Sequence, residues 1–435
     1  MNRLYPPRGA LPLLLVVTLL AGCVGAPGSA PTAPSSMLGG ETVRLLIVGD
    51  PFSNALRELA DEFGRRTGGS VQIEVVGYAE LRELTLRNAQ DLRSSYDIVS
   101  FDVLWLGEYG AENVLLPLDA LIAAAPKLHP EDFLPLAYTG SRYQSRQLGL
   151  PIQPHPELLW YRLDQLEAAG LAPPVTTDDL LAAALRLNHP ERGEYGLCWN
   201  GQRGEPLGQQ MAHFYAAFGQ PLLDSSGWPS LNTPRAVAAA RFAMALLPVS
   251  PPDVLSIAWD QRARRFAAGG CAMTYEWAAR SYLVEEDPTS QVAGLVGYAA
   301  PPHAPNVAPV TPLGTWSLGI PANIGERRAL AWAFLEWLSR ADTQRTIALH
   351  GNGGMPRISL LRDPELAQRY PAFRTVNRPE VASQLADWMR PAVPQWPALA
   401  AILGTVYHDM LRGELTPEQA AAEAQARAEL LFAAQ

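Results

Sequence analysis

The segment VRLLIVGDPFSNALRELADEFGRRTGGSVQIEVV, residues 43–76, determines the class of fold. It opens on the apolar, β-branched run Val43–Gly49, which predicts a buried strand, and Ser53 is a suitable cap for a following helix. The apolar residues of that helix recur at i, i+3, i+4 and i+7; they are Leu56, Leu59, Ala60 and Phe63. After Thr67-Gly68-Gly69 ends the helix, VQIEVV predicts a second strand. Strand, helix and strand at this spacing predict parallel strands joined by a crossover helix.

A third strand is predicted within SYDIVSFDVLWLGEY, residues 95–109, where an apolar run ends just before Asp102. In open sheets of parallel strands, ligands bind beyond the carboxyl ends of the strands. That rule selects two loops, Asp50–Asn54 after the first strand and Asp102–Trp105 after the third. The chain is therefore predicted to be an α/β protein with helices on both faces of a mostly parallel sheet and with its site at these loops.

Three passages rich in proline or glycine interrupt this alternation: GLPIQPHPE at 149–157, PPHAPNVAPVTP at 301–312 and GNGGMPR at 351–357. Proline forces extended backbone on its neighbours, and we interpret the passages as stiff crossings between two lobes, the first leading into the strand LLWYR. A chain of 435 residues is long enough for two lobes. The predicted boundaries are 42–150 and 303–350 for the N-terminal lobe, and 151–302 and 351–435 for the C-terminal lobe.

The first 41 residues have the pattern of an export signal and a tether. Arg3 and Arg8 precede the apolar stretch Leu11–Gly22, which is too short to span a bilayer. The sequence LAGC that ends at Cys23 resembles the lipobox of bacterial lipoproteins; an ordinary signal with an incidental cysteine is the alternative. We predict a lipoprotein signal peptide at 1–22, lipidation of Cys23 and an uncharged flexible linker at 23–41. The protein would then be extracytoplasmic and anchored to a bacterial membrane, in the periplasm or at the cell surface.

Composition excludes several classes of function. The formal net charge of −9 and the lack of any Lys/Arg run argue against a nucleic-acid partner. The seven histidines show no HxxxH or HxH spacing and the cysteines form no CxxC motif, so we predict neither a metal nor a cofactor. Cys198 and Cys271 either pair in an oxidising compartment or remain buried thiols, and the sequence leaves that choice open.

The order of several motifs along the chain resembles a known family. SYDIVSFDVLWLGEY, GLPIQPHPELLWYR, CAMTYEW, TWSLGIP, GGMPR and a C-terminal helix follow one another as in the bacterial extracellular solute-binding proteins of the maltose-binding type, family 1. The resemblance spans roughly residues 42–432 and is strongest toward the branch that binds sugars and polyols. It implies the two-lobed periplasmic-binding-protein fold of type II and a role as the ligand-capturing component of an ABC importer. We expect a monomer whose partners are a sugar or polyol and the ABC permease subunits.

A pocket for a sugar needs flat aromatic surfaces for its C–H faces and fixed polar groups for its hydroxyls. By the resemblance, Trp105, His155, Trp277 and Trp396 take positions where relatives contact ligand. The competing interpretation is a surface-capping aromatic for Trp105 and core packing for Trp277, and the support for Trp396 is its position alone. Arg357 is included because its rigid fork of donors suits vicinal hydroxyls. The predicted ligand-binding residues are Asp50, Phe52, Asn54, Asp102, Trp105, His155, Trp199, Gln209, Trp277, Trp316, Arg357 and Trp396.

Catalysis is the competing function, since a lipid-anchored glycoside hydrolase would use the same cleft. It requires two carboxylates at a defined separation. Four acidic residues are candidates, and their spacing singles out no pair; they are Asp102, Glu108, Glu157 and Glu276. A GxSxG motif is absent. We therefore predict a binding protein with no catalytic residues.

Overall fold

The computed structural model describes residues 37–434, so the predicted signal peptide and Cys23 lie outside the described residues. The strands are β1 (Thr42–Val48), β2 (Ser70–Val76), β3 (Ile98–Asp102), β4 (Arg142–Tyr143), β5 (Arg146–Gln147), β6 (Leu150–Arg162), β7 (Tyr195–Cys198), β8 (Cys271–Trp277), β9 (Val296–Ala299), β10 (Thr311–Gly319) and β11 (Leu385–Ala386).

The helices are α1 (Pro51–Thr67), α2 (Tyr78–Gln90), α3 (Leu106–Ala111), α4 (Asp119–Ala123), α5 (Pro135–Thr139), α6 (Leu163–Ala169), α7 (Thr177–Arg186), α8 (Glu205–Ala217), α9 (Pro234–Leu246), α10 (Trp259–Ala267), α11 (Tyr282–Glu285), α12 (Arg328–Leu338), α13 (Ala341–Leu349), α14 (Ile358–Leu361), α15 (Pro364–Arg369), α16 (Pro371–Val376), α17 (Pro379–Ala382), α18 (Trp396–Leu411) and α19 (Pro417–Ala433). None of these helices combines the length and the apolar character needed to cross a membrane.

The first strand, helix and strand form as predicted. β1 runs parallel to both β2 and β3, and the helix between β1 and β2 packs against β2. α1 begins at Pro51, earlier than a cap at Ser53 would place it, because Asp50 is the N-cap and Ser53 completes the capping box. Proline suits the first helical position, where its missing N–H leaves no hydrogen bond unmade. Leu38 is buried and its N–H donates to the Thr67 carbonyl at 2.7 Å. The last residues of the predicted linker at 23–41 are therefore packed against the folded protein.

The main sheet has the order β2-β1-β3-β10-β6-β8-β7, with β9 paired to β6 and β11 to β10. β1, β2 and β3 are parallel, as are β7 and β8, whereas β10 and β6 run antiparallel to their main neighbours. The sheet is therefore mixed, with parallel strands toward both ends and the antiparallel strands in the middle. The α/β class predicted from the sequence is confirmed.

The passage predicted as a stiff connector is part of one long strand. β6 continues through Pro151, Pro154 and Pro156 because the fixed φ of proline fits extended backbone, and each ring removes only one N–H from the ladder. Its first half pairs with β10 and its second half with β8 and β9. The strand therefore joins the two halves of the sheet.

The other two predicted crossings lie beside β6. The passage at 301–312 leads into β10, which pairs with both β3 and β6. In the passage at 351–357, the Asn352 side chain donates to the Ile152 carbonyl at 3.1 Å. A Cβ on Gly354 would lie 2.3 Å from the Gln153 side chain, so only glycine permits this close approach. Three segments thus meet at the junction, while the exact lobe boundaries remain predictions.

The structure resolves the alternatives left open for two cysteines. Cys198, the last residue of β7, and Cys271, the first residue of β8, form a disulfide with their Cα atoms 5.9 Å apart. Both side chains are fully buried. The bond closes a loop between residues separated by 73 positions, and such a covalent closure restricts the unfolded chain.

Candidate functional site

A cavity of about 470 Å³ lies between the two halves of the sheet. One wall comes from the carboxyl ends of β1, β2 and β3 and from the start of α2, and the opposite wall comes from α8, α10 and the end of β8. β6 and β10 contribute residues between the walls. This location agrees with the prediction that the site lies beyond the strand ends.

Two carboxylates and an indole make up the polar part of the first wall. Asp50 follows β1, Asp102 ends β3, and Trp316 on β10 lies in register with Asp102. The Trp316 Nε1 donates to Asp50 Oδ2 at 3.0 Å. The Asp102 Oδ1 accepts from the Leu104 N–H at 3.2 Å. The two loops selected from the sequence therefore place their acidic side chains in one cavity, on either side of a tryptophan.

Burial changes the acidity of both carboxyl groups. It raises the pKa of Asp102 to about 6, against the opposing effect of the Arg390 guanidinium. It also raises the pKa of Asp50, with the nearby Arg280 guanidinium opposing the rise. Asp102 consequently changes its charge within a range of pH that binding experiments easily cover.

Two aromatic side chains that are not among the predicted ligand-binding residues line the cavity and contact each other. Tyr78 begins α2 and Trp259 begins α10, and their ring centroids lie 5.5 Å apart at 39°. The Tyr78 hydroxyl lies 3.1 Å from Asp102 Oδ2 and 3.3 Å from Glu205 Oε1 on α8, so it contacts both walls. Tyr78 comes two residues after β2, and applying the strand-end rule to the second strand would have found it. Trp259 carries no comparable signal.

A second aromatic group surrounds Trp277, the last residue of β8. The imidazole of His155 lies perpendicular to the indole with centroids 4.9 Å apart, and the Arg390 guanidinium lies 5.4 Å from the Trp277 ring centre. Burial lowers the pKa of His155 to about 3, so its ring is neutral near pH 7. The carbonyl of Gln153 only accepts, and His155 Nδ1 at 2.9 Å is therefore the protonated nitrogen.

Two arginines supply the positive charge of the cavity. Arg280 Nη2 pairs with Asp260 Oδ1 at 2.9 Å, and its Nε lies 3.8 Å from Asp50 Oδ1. Arg390 comes from the irregular segment after β11, and its Nη2 donates to the Leu313 carbonyl. Neither arginine lies in a recognisable motif, which explains why the sequence did not identify them.

Of the twelve predicted residues, six line the cavity and six do not; the lining ones are Asp50, Asp102, His155, Gln209, Trp277 and Trp316. Two of the others lie directly behind this lining. Trp105 is fully buried, with its ring 4.7 Å from Tyr78 and 5.7 Å from Trp316, so it supports the rings that face the cavity. Phe52 is also buried, and its N–H donates to Gln153 Oε1 at 3.0 Å.

The remaining four lie elsewhere for identifiable reasons. Asn54 lines a separate surface depression beside α1 and α13. Trp199 is fully buried, with its Nε1 donating to Ser250 Oγ at 2.8 Å. Arg357 is buried and donates to backbone carbonyls, including that of Leu128 at 2.8 Å. Trp396 is fully buried at the start of α18.

Most of the carboxylates considered for catalysis are engaged in ion pairs away from the cavity. Glu108 is paired with Arg82, and Glu276 with Arg262 at 2.9 Å. Glu157 contacts His213 in the same buried cluster as Arg262. Only Asp102 of the four lines the cavity. Residues 37–434 contain no cluster of His, Cys, Asp and Glu arranged to hold a metal ion.

Known proteins share the sequence pattern and the fold of this chain. Residues 49–345 match the family described as bacterial extracellular solute-binding protein. A probable amino-acid ABC transporter periplasmic-binding protein of Sinorhizobium fredii is 25% identical over 406 residues, covering 90% of this chain and 89% of the relative. The mannitol-binding protein of Pseudomonas aeruginosa is 26% identical over 356 residues, covering 75% of this chain and 79% of the relative.

A solved structure extends this likeness to three dimensions. The crystal structure of an ABC transporter solute-binding protein from Agrobacterium radiobacter K84, in complex with ribitol, matches with a TM-score of 0.85 and 29% identity. The match covers 90% of this chain and 99% of that one. It confirms the two-lobed fold predicted from the sequence. The chain belongs to the bacterial extracellular solute-binding proteins.

Proposed function

We propose that this protein captures a sugar or polyol in the cavity between its lobes and delivers it to the permease of an ABC importer. One observation carries the proposal: the cavity is lined by aromatic side chains together with hydrogen-bonding groups from both walls. Trp277 and Trp259 suit the C–H faces of a carbohydrate, and Asp50 and Asp102 suit its hydroxyls. The mannitol-binding relative and the ribitol complex support this class of ligand.

Lobe closure is the mechanism that this arrangement favours. Contacts cross the cavity in two places, from Tyr78 to Trp259 and Glu205, and from Asp50 to Arg280. A ligand that touches both walls binds the closed form more tightly than the open form, and therefore shifts the population toward closure. The permease would then recognise the closed form.

Export and lipidation at Cys23 complete the proposal, because a receptor held at the membrane stays near its permease. Replacing Cys23 with Ser should release the protein from the membrane into the soluble extracytoplasmic fraction. Fractionation of the cells that make it, followed by mass spectrometry of the N-terminus, measures both the location and the lipid. A Cys23→Ser protein that stays in the membrane fraction would refute the anchor without affecting the binding function.

Thermal shift, calorimetry and small-angle scattering on the mature protein test the binding function with a panel of sugars and polyols. The right ligand should raise the melting temperature, by an amount equivalent to about 2.7 kcal/mol at a hundredfold excess over the dissociation constant. It should also reduce the radius of gyration and be recovered unchanged. Chemical conversion of the ligand would indicate a glycoside hydrolase instead of a binding protein. If no compound of the panel binds, the proposal is refuted.

A further inference from the structure

A buried ion pair lies behind the wall of the cavity that α10 and β8 form. One face of α10 carries Trp259, Arg262, Ala263 and Phe266 at i, i+3, i+4 and i+7, so an arginine occupies a position where the spacing calls for an apolar residue. The Arg262 side chain is 0% exposed. Its Nη2 donates to Glu276 Oε1 at 2.9 Å and its Nε to Oε2 at 3.1 Å. Both carboxylate oxygens of Glu276, itself fully buried, are thus paired with one guanidinium.

This ion pair also contacts the backbone of a residue that lines the cavity. Trp277 follows Glu276 at the end of β8 and lines the cavity, whereas Glu276 and Arg262 do not. The Trp277 N–H donates to Glu276 Oε1 at 2.9 Å, and the same oxygen accepts from Arg262 Nη2. The guanidinium therefore fixes the acceptor that holds the Trp277 backbone.

A second pair contacts the ring of Trp277. The His213 imidazole on α8 lies at 84° to the indole with centroids 5.6 Å apart. Burial lowers the pKa of His213, so the ring is neutral near pH 7 and its Nδ1–H donates to the Glu157 carboxylate on β6. Glu157 lies opposite Trp277 in the ladder between β6 and β8, and its Oε1 lies 3.7 Å from Arg262 Nη1. One buried ion-pair cluster thus joins four elements; it consists of Glu157, His213, Arg262 and Glu276.

Stability alone does not account for such a cluster. Removing charges from water is costly, and apolar residues of similar volume often stabilise a fold equally well or better than a buried ion pair. A forked guanidinium–carboxylate pair does fix the distance and orientation of the groups that it joins. An indole that binds ligand benefits from being fixed beforehand, because ordering a side chain on binding costs affinity. The buried ion-pair cluster has the properties of a rigid support for Trp277.

We propose that Arg262 and Glu276 are positioning residues for ligand binding, which hold Trp277 in the orientation that the ligand requires. They act from behind the cavity wall and do not touch the ligand, and Glu157 and His213 complete the support. The inference rests on the proposed function and adds residues that determine affinity from outside the cavity. Loss of the support weakens binding through Trp277, and not through the stability of the fold.

Two substitutions of Glu276 test the support. Glu276→Leu removes the acceptor of both the Arg262 guanidinium and the Trp277 N–H, and should weaken binding by about tenfold. Glu276→Gln retains a side-chain oxygen for that N–H, and its affinity should stay within about threefold of the wild type. Calorimetry measures both affinities with the tightest ligand of the panel described above, starting from D-mannitol and ribitol.

Asp97 offers a matched control, because its surroundings are similar and it does not line the cavity. Its carboxylate is buried, accepts from the Arg44 N–H at 2.9 Å and pairs with Arg327 at 2.6 Å. Asp97→Leu should destabilise the fold as Glu276→Leu does, but should leave the affinity within about twofold of the wild type. Denaturant unfolding of both variants establishes that they are folded and how far each is destabilised.

A double-mutant cycle separates positioning from a general loss of structure. The supported ring is absent from Trp277→Ala, so adding Glu276→Leu to it should change the affinity by no more than about twofold. Arg262→Lys keeps the charge but loses the fork, and should weaken binding by about fivefold with the same dependence on Trp277. Its cycle decides the question if Glu276→Leu does not fold.

The outcomes distinguish this inference from the proposed function. The inference is overturned, and the proposed function stands, if Glu276→Leu binds like the wild type, if Asp97→Leu loses as much affinity, or if the loss persists in the Trp277→Ala background. Unchanged affinity of Trp277→Ala has the same consequence, because the supported ring would then not contact the ligand. If no sugar or polyol binds the wild type, the proposed function is refuted together with the inference.

Discussion

The ionisation of Asp102 should determine how ligand affinity depends on pH. Burial raises the pKa of this carboxyl to about 6. If a ligand hydroxyl donates to the ionised carboxylate only, the apparent dissociation constant is multiplied by a factor that grows as the carboxyl becomes protonated. With this pKa, the dissociation constant should be about tenfold larger at about pH 5 than at about pH 7.

Calorimetric titration of the wild-type protein across this range measures the effect. Asp102→Asn should bind more weakly near pH 7 and should lose most of the pH dependence, because its amide does not titrate. Asp260→Asn is the matched control, since this aspartate lies at the exposed rim of the same cavity, and its pH profile should follow the wild type. Equal wild-type affinities at about pH 5 and about pH 7 would refute the reasoning.

Stability should change with pH in the opposite direction to affinity. The pKa of Asp102 is higher in the folded protein than its reference value of 3.8, so folding favours the neutral carboxyl. Its contribution to the free energy of unfolding is therefore greatest at low pH and decreases by up to about 3 kcal/mol as pH rises through about 6. Subtracting the profile of Asp102→Asn, measured by denaturant unfolding without ligand, isolates this contribution. A difference that does not change with pH would contradict the burial of this group.

Three further variants test the packing around the cavity. Trp277→Ala should weaken ligand binding by about 1 to 3 kcal/mol, whereas Trp228→Ala, a control at an exposed position, should leave it unchanged. If calorimetry gives Trp277→Ala the same ligand affinity as the wild type, Trp277 is not part of the binding site. Joint replacement of Cys198 and Cys271 by Ala should lower the free energy of unfolding by about 4 kcal/mol in a denaturant titration, and an unchanged midpoint would argue against the disulfide. Gly314→Ala should destabilise the fold by about 1 to 3 kcal/mol, because the added Cβ would lie 2.2 Å from the imidazole of His155. An unchanged melting temperature would show that this imidazole moves aside at no cost.

The sequence by itself determined the local units and the strand ends that face the cavity. The run at 43–76 predicts strand, helix and strand through hydrophobic spacing, and those elements form because each buries its apolar side locally. Asp50 and Asp102 were also identified from the sequence, because each follows a predicted strand and parallel strands bring their carboxyl ends to one edge of the sheet. The order of motifs identified the family, because that order reflects the whole fold.

Only the tertiary structure decided which side chains reach the cavity. Trp105 and Trp277 both lie at strand ends, and nothing local distinguishes them, yet Tyr78 covers the first and leaves the second to line the cavity. Arg390 comes from an irregular segment, far along the chain from Asp102, and yet the two residues line the same cavity. Local periodicity specifies which face of an element is buried, but the distance between two side chains from remote segments depends on how those segments pack together.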